Sequence, residues 1–346
     1  MKRLALALLF LAGGSTLLTT GCSEAKPELH VFNWADYFAP DTVKNFEKEF
    51  GCRVVLDYFE SSEKLRAKLE GGQSGFDVVF PSNEVMRLFV AKGLVEKIDL
   101  VKLPNFKNLS AKFRGLDFDP KNEYSVPYMW GTTGIAYNKT KVSPAPDSWT
   151  ALWDPKVSGH VTILDDPREA FAAAIWVEGG PALAPSEDAI EKAKKKLIAA
   201  KVKAFDGQPK LRLIKGEAWV AHCYSGDALQ AAAAKERSGD IGFVIPKEGG
   251  TIWVDNVCIP KGAPNRELAH KFIDYLLRAD VSAAISNEVA YANPNEAAQK
   301  LIKKEVLEDR VANPTEDELK RCSILKELSP DLKKKLDDAW SQVKGR

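Results

Sequence analysis

Apolar positions along the chain follow two alternating periods. Residues 29–34 form a short apolar run and predict a strand. Residues 41–50 then place Val43, Phe46 and Phe50 at helical spacing, with Gly51 as the C-cap. Residues 53–59 predict the next strand, and Ser62 stands where it would cap a helix carrying Leu65 and Leu69. Residues 76–80 predict a strand stopped by Pro81-Ser82, and a helix over 84–92 ends at Gly93. The rhythm returns with a strand over 160–164, helices over 167–177 and 186–200, a strand over 218–223 and a helix over 227–235. Residues 242–245 and 251–259 read as extended. From Asn265 onward the pattern is mostly helical, ending in a charged amphipathic segment over 331–343. Strands alternating with helices at this spacing predict an α/β fold with mainly parallel sheet and covering helices.

The N-terminus breaks that rhythm. Lys2 and Arg3 precede an apolar stretch over 4–12, and Gly21-Cys22 follows. This pattern predicts a secretory signal peptide over 1–21, the apolar run being shorter than the roughly 20 residues that cross a bilayer. It resembles a bacterial lipoprotein signal, which implies that Cys22 is the first mature residue and is lipidated, although Thr19 stands where such signals usually carry Leu. The protein would then be extracytoplasmic, held at the membrane by its lipid anchor alone.

Length and composition narrow the class. The 346 residues, 45% hydrophobic and 28% charged, fit a globular protein of two domains and exclude a disordered or fibrous chain. The formal net charge of +1, falling to −1 once Lys2 and Arg3 leave with the signal, argues against a general nucleic-acid binder. Besides Cys22 there are Cys52, Cys223, Cys258 and Cys322. Export permits disulfides and four cysteines allow three connectivities, but the wide spacing favours buried free thiols.

Catalytic patterns are missing. Gly-Lys never occurs, so there is no phosphate-binding loop of the Walker type, and there is no G-x-S-x-G, H-E-x-x-H or C-x-x-C. His222-Cys223 is the one local pair with nucleophilic potential. Strand neighbours point to opposite faces, so a secreted hydrolase built on that pair is a weak alternative. No metal or cofactor is called for.

What recurs after the predicted strands is acid beside aromatic: Trp34, Asp36 and Tyr37; Ser82 and Glu84; Asp166 and Glu169; Tyr224 and Asp227; Trp253 and Asp255; then Tyr291. In open α/β sheets ligands bind beyond the carboxyl ends of strands. Aromatic faces attract a cation, and carboxylates accept charge-assisted hydrogen bonds from ammonium groups. Each residue also has a structural explanation. Asp166-Pro167-Arg168-Glu169 is a good helix start, and Asp227 suits a helix N-terminus. A Trp at a strand end commonly packs, and Asp36 and Glu84 read as solvated. Asp255, inside the apolar run Trp253-Val254-Asp255-Asn256-Val257, needs a partner or a ligand.

These blocks resemble the periplasmic polyamine-binding proteins, receptors of spermidine/putrescine ABC transporters. The resemblance rests on Phe32-Asn33-Trp34-Ala35-Asp36-Tyr37, Phe76-Asp77-Val78-Val79-Phe80-Pro81-Ser82, Val126-Pro127-Tyr128-Met129-Trp130-Gly131, Leu164-Asp165-Asp166-Pro167-Arg168-Glu169, Trp253-Val254-Asp255 and Tyr291-Ala292-Asn293-Pro294. It implies a two-lobed periplasmic-binding-protein-like fold joined by crossover strands near 134–137 and 253–257, closing on the ligand. Lobe 1 would hold 27–136 and 254–346, and lobe 2 would hold 137–253. It implies ligand-binding roles for Trp34, Tyr37, Ser82, Asp166, Glu169, Tyr224, Asp227, Trp253, Asp255 and Tyr291. The ligand would be a polyamine, or another small organic cation on the same fold, and the partners ABC permease subunits, with the receptor acting as a monomer. Tyr224 replaces the usual Trp, and Ala35 replaces a small hydroxyl residue. Asp166 with Glu169 reads as spermidine-like and Asp227 as putrescine-like, with the acid count leaning to spermidine.

Overall fold

The computed structural model describes residues 26–72, 75–237 and 239–345. The predicted signal peptide and Cys22 lie outside the described residues. The alternation of periods is realised as β1 (Glu28–Trp34), α1 (Thr42–Phe50), β2 (Arg53–Phe59), α2 (Ser62–Glu70), β3 (Val78–Val79) and α3 (Asn83–Lys92). Gly51 closes α1 at φ 63°, a left-handed conformation that glycine adopts without strain. Ser61, rather than the expected Ser62, caps α2. Ser61 has the extended backbone of a cap and accepts from the Lys64 amide, whereas Ser62 is already helical.

β4 (Ser125–Asn138) is a 14-residue strand that the apolar periodicity does not announce. It is followed by β5 (Val161–Leu164), α4 (Pro167–Val177), α5 (Glu187–Ala199), β6 (Ala204–Asp206), α6 (Pro209–Lys215), β7 (Val220–Tyr224), α7 (Ser225–Ala233), β8 (Ile241–Val244) and β9 (Gly250–Cys258). Helices α8 (Arg266–Leu276) and α9 (Ala279–Val289), strand β10 (Cys322–Ser323) and a last helix, Pro330–Lys344, complete the main elements.

The strand order is β2-β1-β3-β9-β4-β7-β5-β6, with β8 beside β4 and β10 beside β9. One end is parallel, β1 pairing with β2 and β3. The other end is parallel as well, β5 pairing with β6 and β7. Between them β4 and β9 run antiparallel from Ser125↔Cys258 to Thr133↔Thr251, and both strands pass from one half to the other. Each half has its own core. The first packs α1, α8 and α9 around Phe46, Met129, Phe272 and Ile285, while the second packs α4 and α5 around Trp149, Ile163 and Phe171. This is the two-lobed α/β architecture expected.

The sequence-based division places all of 254–346 in the first lobe, and here the structure differs. In the last helix Leu336, Ala339 and Val343 are buried in the second core with α4 and α5. Val311 already packs against that lobe, and β10 joins β9 at Cys322↔Gly250. The chain therefore crosses a third time, because the apolar stripe of the last helix finds its complement chiefly on α5, through Ile190, Ala193 and Leu197, with α4 beside it. Cys52, Cys223, Cys258 and Cys322 are all free and buried.

Candidate functional site

The carboxyl ends of β1, β5 and β7 and the middle of β9 face one cleft of about 1240 Å³, its mouth included. Small-molecule sites are usual at such positions. All ten expected residues line it: Trp34, Tyr37, Ser82, Asp166, Glu169, Tyr224, Asp227, Trp253, Asp255 and Tyr291.

Asp255 sits in β9, the only strand among those described that contacts both β3 and β4. The start of α3 is fastened to the same strand, through a Ser82↔Asp255 bridge, the Asn83 side chain accepting from the Val254 amide at 3.0 Å, and the Asn256 amide donating to Pro81. Asp255 is 7% exposed, and the Tyr37 hydroxyl donates to its Oδ2 at 2.6 Å. Tyr37 is positioned in turn by its backbone carbonyl, which accepts from the Tyr128 hydroxyl at 2.6 Å. Burial pushes the Asp255 carboxyl up to about 7, against the opposing hydrogen bond from Tyr37.

The rings form a continuous chain. Tyr37 meets Tyr291 at 5.7 Å, Tyr291 meets Trp253 at 5.0 Å, and Trp253 meets Tyr224 at 5.9 Å, each pair edge to face. Two glycines make room for it. A Cβ on Gly131 would lie 2.4 Å from the Trp253 ring, and one on Gly226 would lie 2.1 Å from the Tyr291 ring. The Trp34 and Trp253 indole nitrogens are buried without a protein acceptor.

At one end α4 begins as its sequence predicts, Asp166 accepting from the Glu169 amide at 3.1 Å with Pro167 at the first turn. The reciprocal half of a capping box is not made. The Glu169 carboxylate turns instead to the Thr251 and Thr133 hydroxyls, at 2.7 and 3.1 Å. Its other oxygen is buried without a hydrogen-bond partner, with His222 Nε2 at 3.7 Å. Burial, followed by repulsion from Glu63, Glu169 and Glu84, raises the Asp166 carboxyl well above the usual range. Asp166 therefore caps α4 and, with Glu169, also lines the cleft. Glu84 is not simply solvated: Arg168 donates to it at 3.1 Å.

At the other end Asp227 lies in the first turn of α7. Burial raises its carboxyl to about 6, while Lys210 and a hydrogen bond from Tyr291 pull it down. Asp36 stays exposed, as expected, and its φ of 55° turns the side chain toward Lys210. Sequence reasoning passed over Lys210, Gln230 and Thr251. Lys210 arrives on the seven-residue α6, where Leu211, Leu213 and Ile214 make a run too short to show a helical period.

His222 and Cys223 are both fully buried. His222 lies edge-on to Trp149 of one core, and Cys223 belongs to another with Ala136 and Leu213. They point to opposite faces, as the strand period requires, and neither lines the cleft.

A cleft between two α/β lobes, walled by rings and carboxylates, defines a protein that holds a small solute. The chain belongs to the family of bacterial extracellular solute-binding proteins, whose model matches residues 41–315. It is 37% identical to a putrescine-binding periplasmic protein of Escherichia coli, over 96% of each chain. It is 34% identical to a putrescine/cadaverine-binding protein of Pseudomonas aeruginosa over the full length of both. Among solved structures, a protein of Listeria monocytogenes assigned to a spermidine/putrescine ABC transporter superimposes with a TM-score of 0.87 at 34% identity, covering 92% of this chain and 98% of that one. No helix among the described residues is long and apolar enough to cross a membrane.

Proposed function

We propose that this protein captures a polyamine in the cleft and delivers it to the permease of an ABC transporter. The observation that carries the reading is Asp255, a buried carboxylate with no cationic partner among the described residues, at the centre of a wall of rings. A buried carboxylate without a cation is costly, and an ammonium group removes the cost. Trp34, Tyr37, Trp253 and Tyr291 sheathe the methylene chain and face the ammonium groups, each cation–π contact contributing roughly 0.5–2 kcal/mol. Ser82 and Tyr224 border the chain, and Asp166 with Glu169 receives one terminal amine.

The lobes take residues 27–136 with 254 to about 300, and 137–253 with the last helix, and they close about the three crossings. The polyamine-binding relatives from Escherichia coli and Pseudomonas aeruginosa support the ligand class. The signal-like N-terminus supports export with lipidation at Cys22, and the receptor acts as a monomer.

Isothermal titration calorimetry of the chain beginning after Cys22, with putrescine, cadaverine and spermidine in separate titrations, tests this. Micromolar binding, about 8 kcal/mol, is expected for at least one. No heat with any of the three, from folded and ligand-stripped protein, overturns it.

A further inference from the structure

One end of the cleft already contains an ammonium group. Lys210 Nζ lies 3.2 Å from Asp36 Oδ2, 2.8 Å from Gln230 Oε1 and 3.9 Å from Asp227 Oδ1, with only 14% of its side chain exposed. It comes from α6 in the second lobe, Asp227 and Gln230 come from α7, and Asp36 follows β1 in the first lobe. Gln230 is fixed by donating to the Val289 carbonyl at 3.1 Å. This is the geometry of a ligand ammonium between two carboxylates and an amide oxygen, made by the chain itself.

The remaining charges around the cleft divide clearly. Glu84 is held by Arg168, Glu60 by Lys64 and Asp165 by Lys344. Asp36 and Asp227 share Lys210. Two positions have no lysine or arginine partner among the described residues: Asp255 at the centre, and the Asp166–Glu169 pair at the far end, where the buried His222 ring stands 3.7 Å from Glu169 and burial, then repulsion from Glu63, Glu169 and Glu84, raises the Asp166 carboxyl.

We propose that Lys210 is the residue that sets ligand charge, occupying the third cation position so that the cleft selects a linear diamine over a triamine. This rests on the polyamine reading above and reverses the slight leaning to spermidine that the acid count alone gives. A triamine must bring its third ammonium against Lys210 or leave it unpaired. A diamine satisfies Asp255 and the Asp166–Glu169 pair and extends no further.

The test is calorimetric titration of wild type, Lys210→Gln and Lys210→Arg with putrescine and spermidine. Gln removes the charge and, one atom shorter, still offers an amide donor toward Gln230, and Arg keeps the charge. Wild type is expected to favour the diamine. K210Q is expected to shift the ratio at least tenfold toward the triamine, and K210R is expected to retain the wild-type preference. A wild type that favours the triamine, or a ratio unchanged within twofold in K210Q, overturns the assignment while leaving the polyamine reading intact. If wild type binds neither amine, the polyamine reading fails. The role of Lys210 as resident counter-ion is then read from the Asp227 carboxyl by NMR titration. A rise of one pH unit or more in K210Q supports that role, and no change overturns it.

Discussion

The Tyr37 hydroxyl reaches Asp255 Oδ2 at 2.6 Å across 218 residues of sequence. One neutral donor therefore supports the carboxylate at the centre of the cleft. It is enough to orient the group and too little to offset the loss of water around a charge.

Removing that charge separates stability from binding. Asp255→Asn keeps an acceptor for Tyr37 and is expected to weaken diamine binding at least 100-fold. The ligand-free variant is expected to melt at or above the wild-type temperature at pH 8. Calorimetry and thermal melting check the two halves, and a variant that loses both binding and stability would count against a ligand role for Asp255.

The pH dependence follows from Asp255 at about 7 and Asp227 at about 6, both above an ordinary Asp at 3.8. Because these folded-state values are raised, their contribution to stability is complete below about pH 4. It is lost as pH rises through 6 and 7. For Asp255 the span is on the order of 4 kcal/mol. Ligand-free protein is thus expected to melt at a lower temperature at pH 8 than at pH 5. Ammonium binding needs the Asp255 carboxylate ionised, so affinity runs the other way and rises as pH passes through about 7. Titrations near pH 6.5 in buffers of different ionisation enthalpy are expected to register proton release on binding.

Gly226→Ala tests the ring chain without touching a charge. Its Cβ would lie 2.1 Å from Tyr291, backbone against a buried ring, so Tyr291 has to move. Overpacking of this kind costs about 1–3 kcal/mol. Binding is expected to weaken at least tenfold, and indole fluorescence in the cleft to change, while circular dichroism stays that of the wild type.

The cysteines offer a check on the fold. With Cys52, Cys223, Cys258 and Cys322 buried and reduced, a thiol reagent is expected to react with none of them in native protein starting after Cys22, and with four in denaturant. Dithiothreitol is expected to leave the melting temperature unchanged. A non-reducing mass increase equal to two reagent groups, or none, would reveal a disulfide.

Legibility tracked how locally each feature is encoded. The elements from Glu28 to Lys92 announce themselves because the three helices each have a one-face apolar period and a glycine at the end, and the strands between them are short apolar runs. β4 does not: it is buried on both faces and has no alternation, and Pro127, Gly131 and Gly134 punctuate it as if it were a loop. The register slips between Pro127 and Met129, which accommodates the missing amide, and Gly131 is there for the Trp253 ring. The cleft-lining residues at strand ends were readable because acid and aromatic recur there together. Lys210 was not, because nothing local distinguishes a lysine facing Asp36 and Asp227 from one facing water. The last helix was placed in the wrong lobe for a similar reason, since an apolar stripe names a need for a partner without naming the partner.

The position of β9 between β3 and β4 also bears on how the chain acquires its structure. Val79 pairs with Cys258, and Asn265 donates to the buried Asp77. The first half of the sheet therefore cannot be completed by the residues that supply most of it. A chain made from its N-terminus keeps β3 with an open edge until Gly250–Cys258 has been synthesised. Pairings so distant in sequence form slowly. Until then the first lobe has its parallel strands in place but lacks the strand that closes the β3 edge.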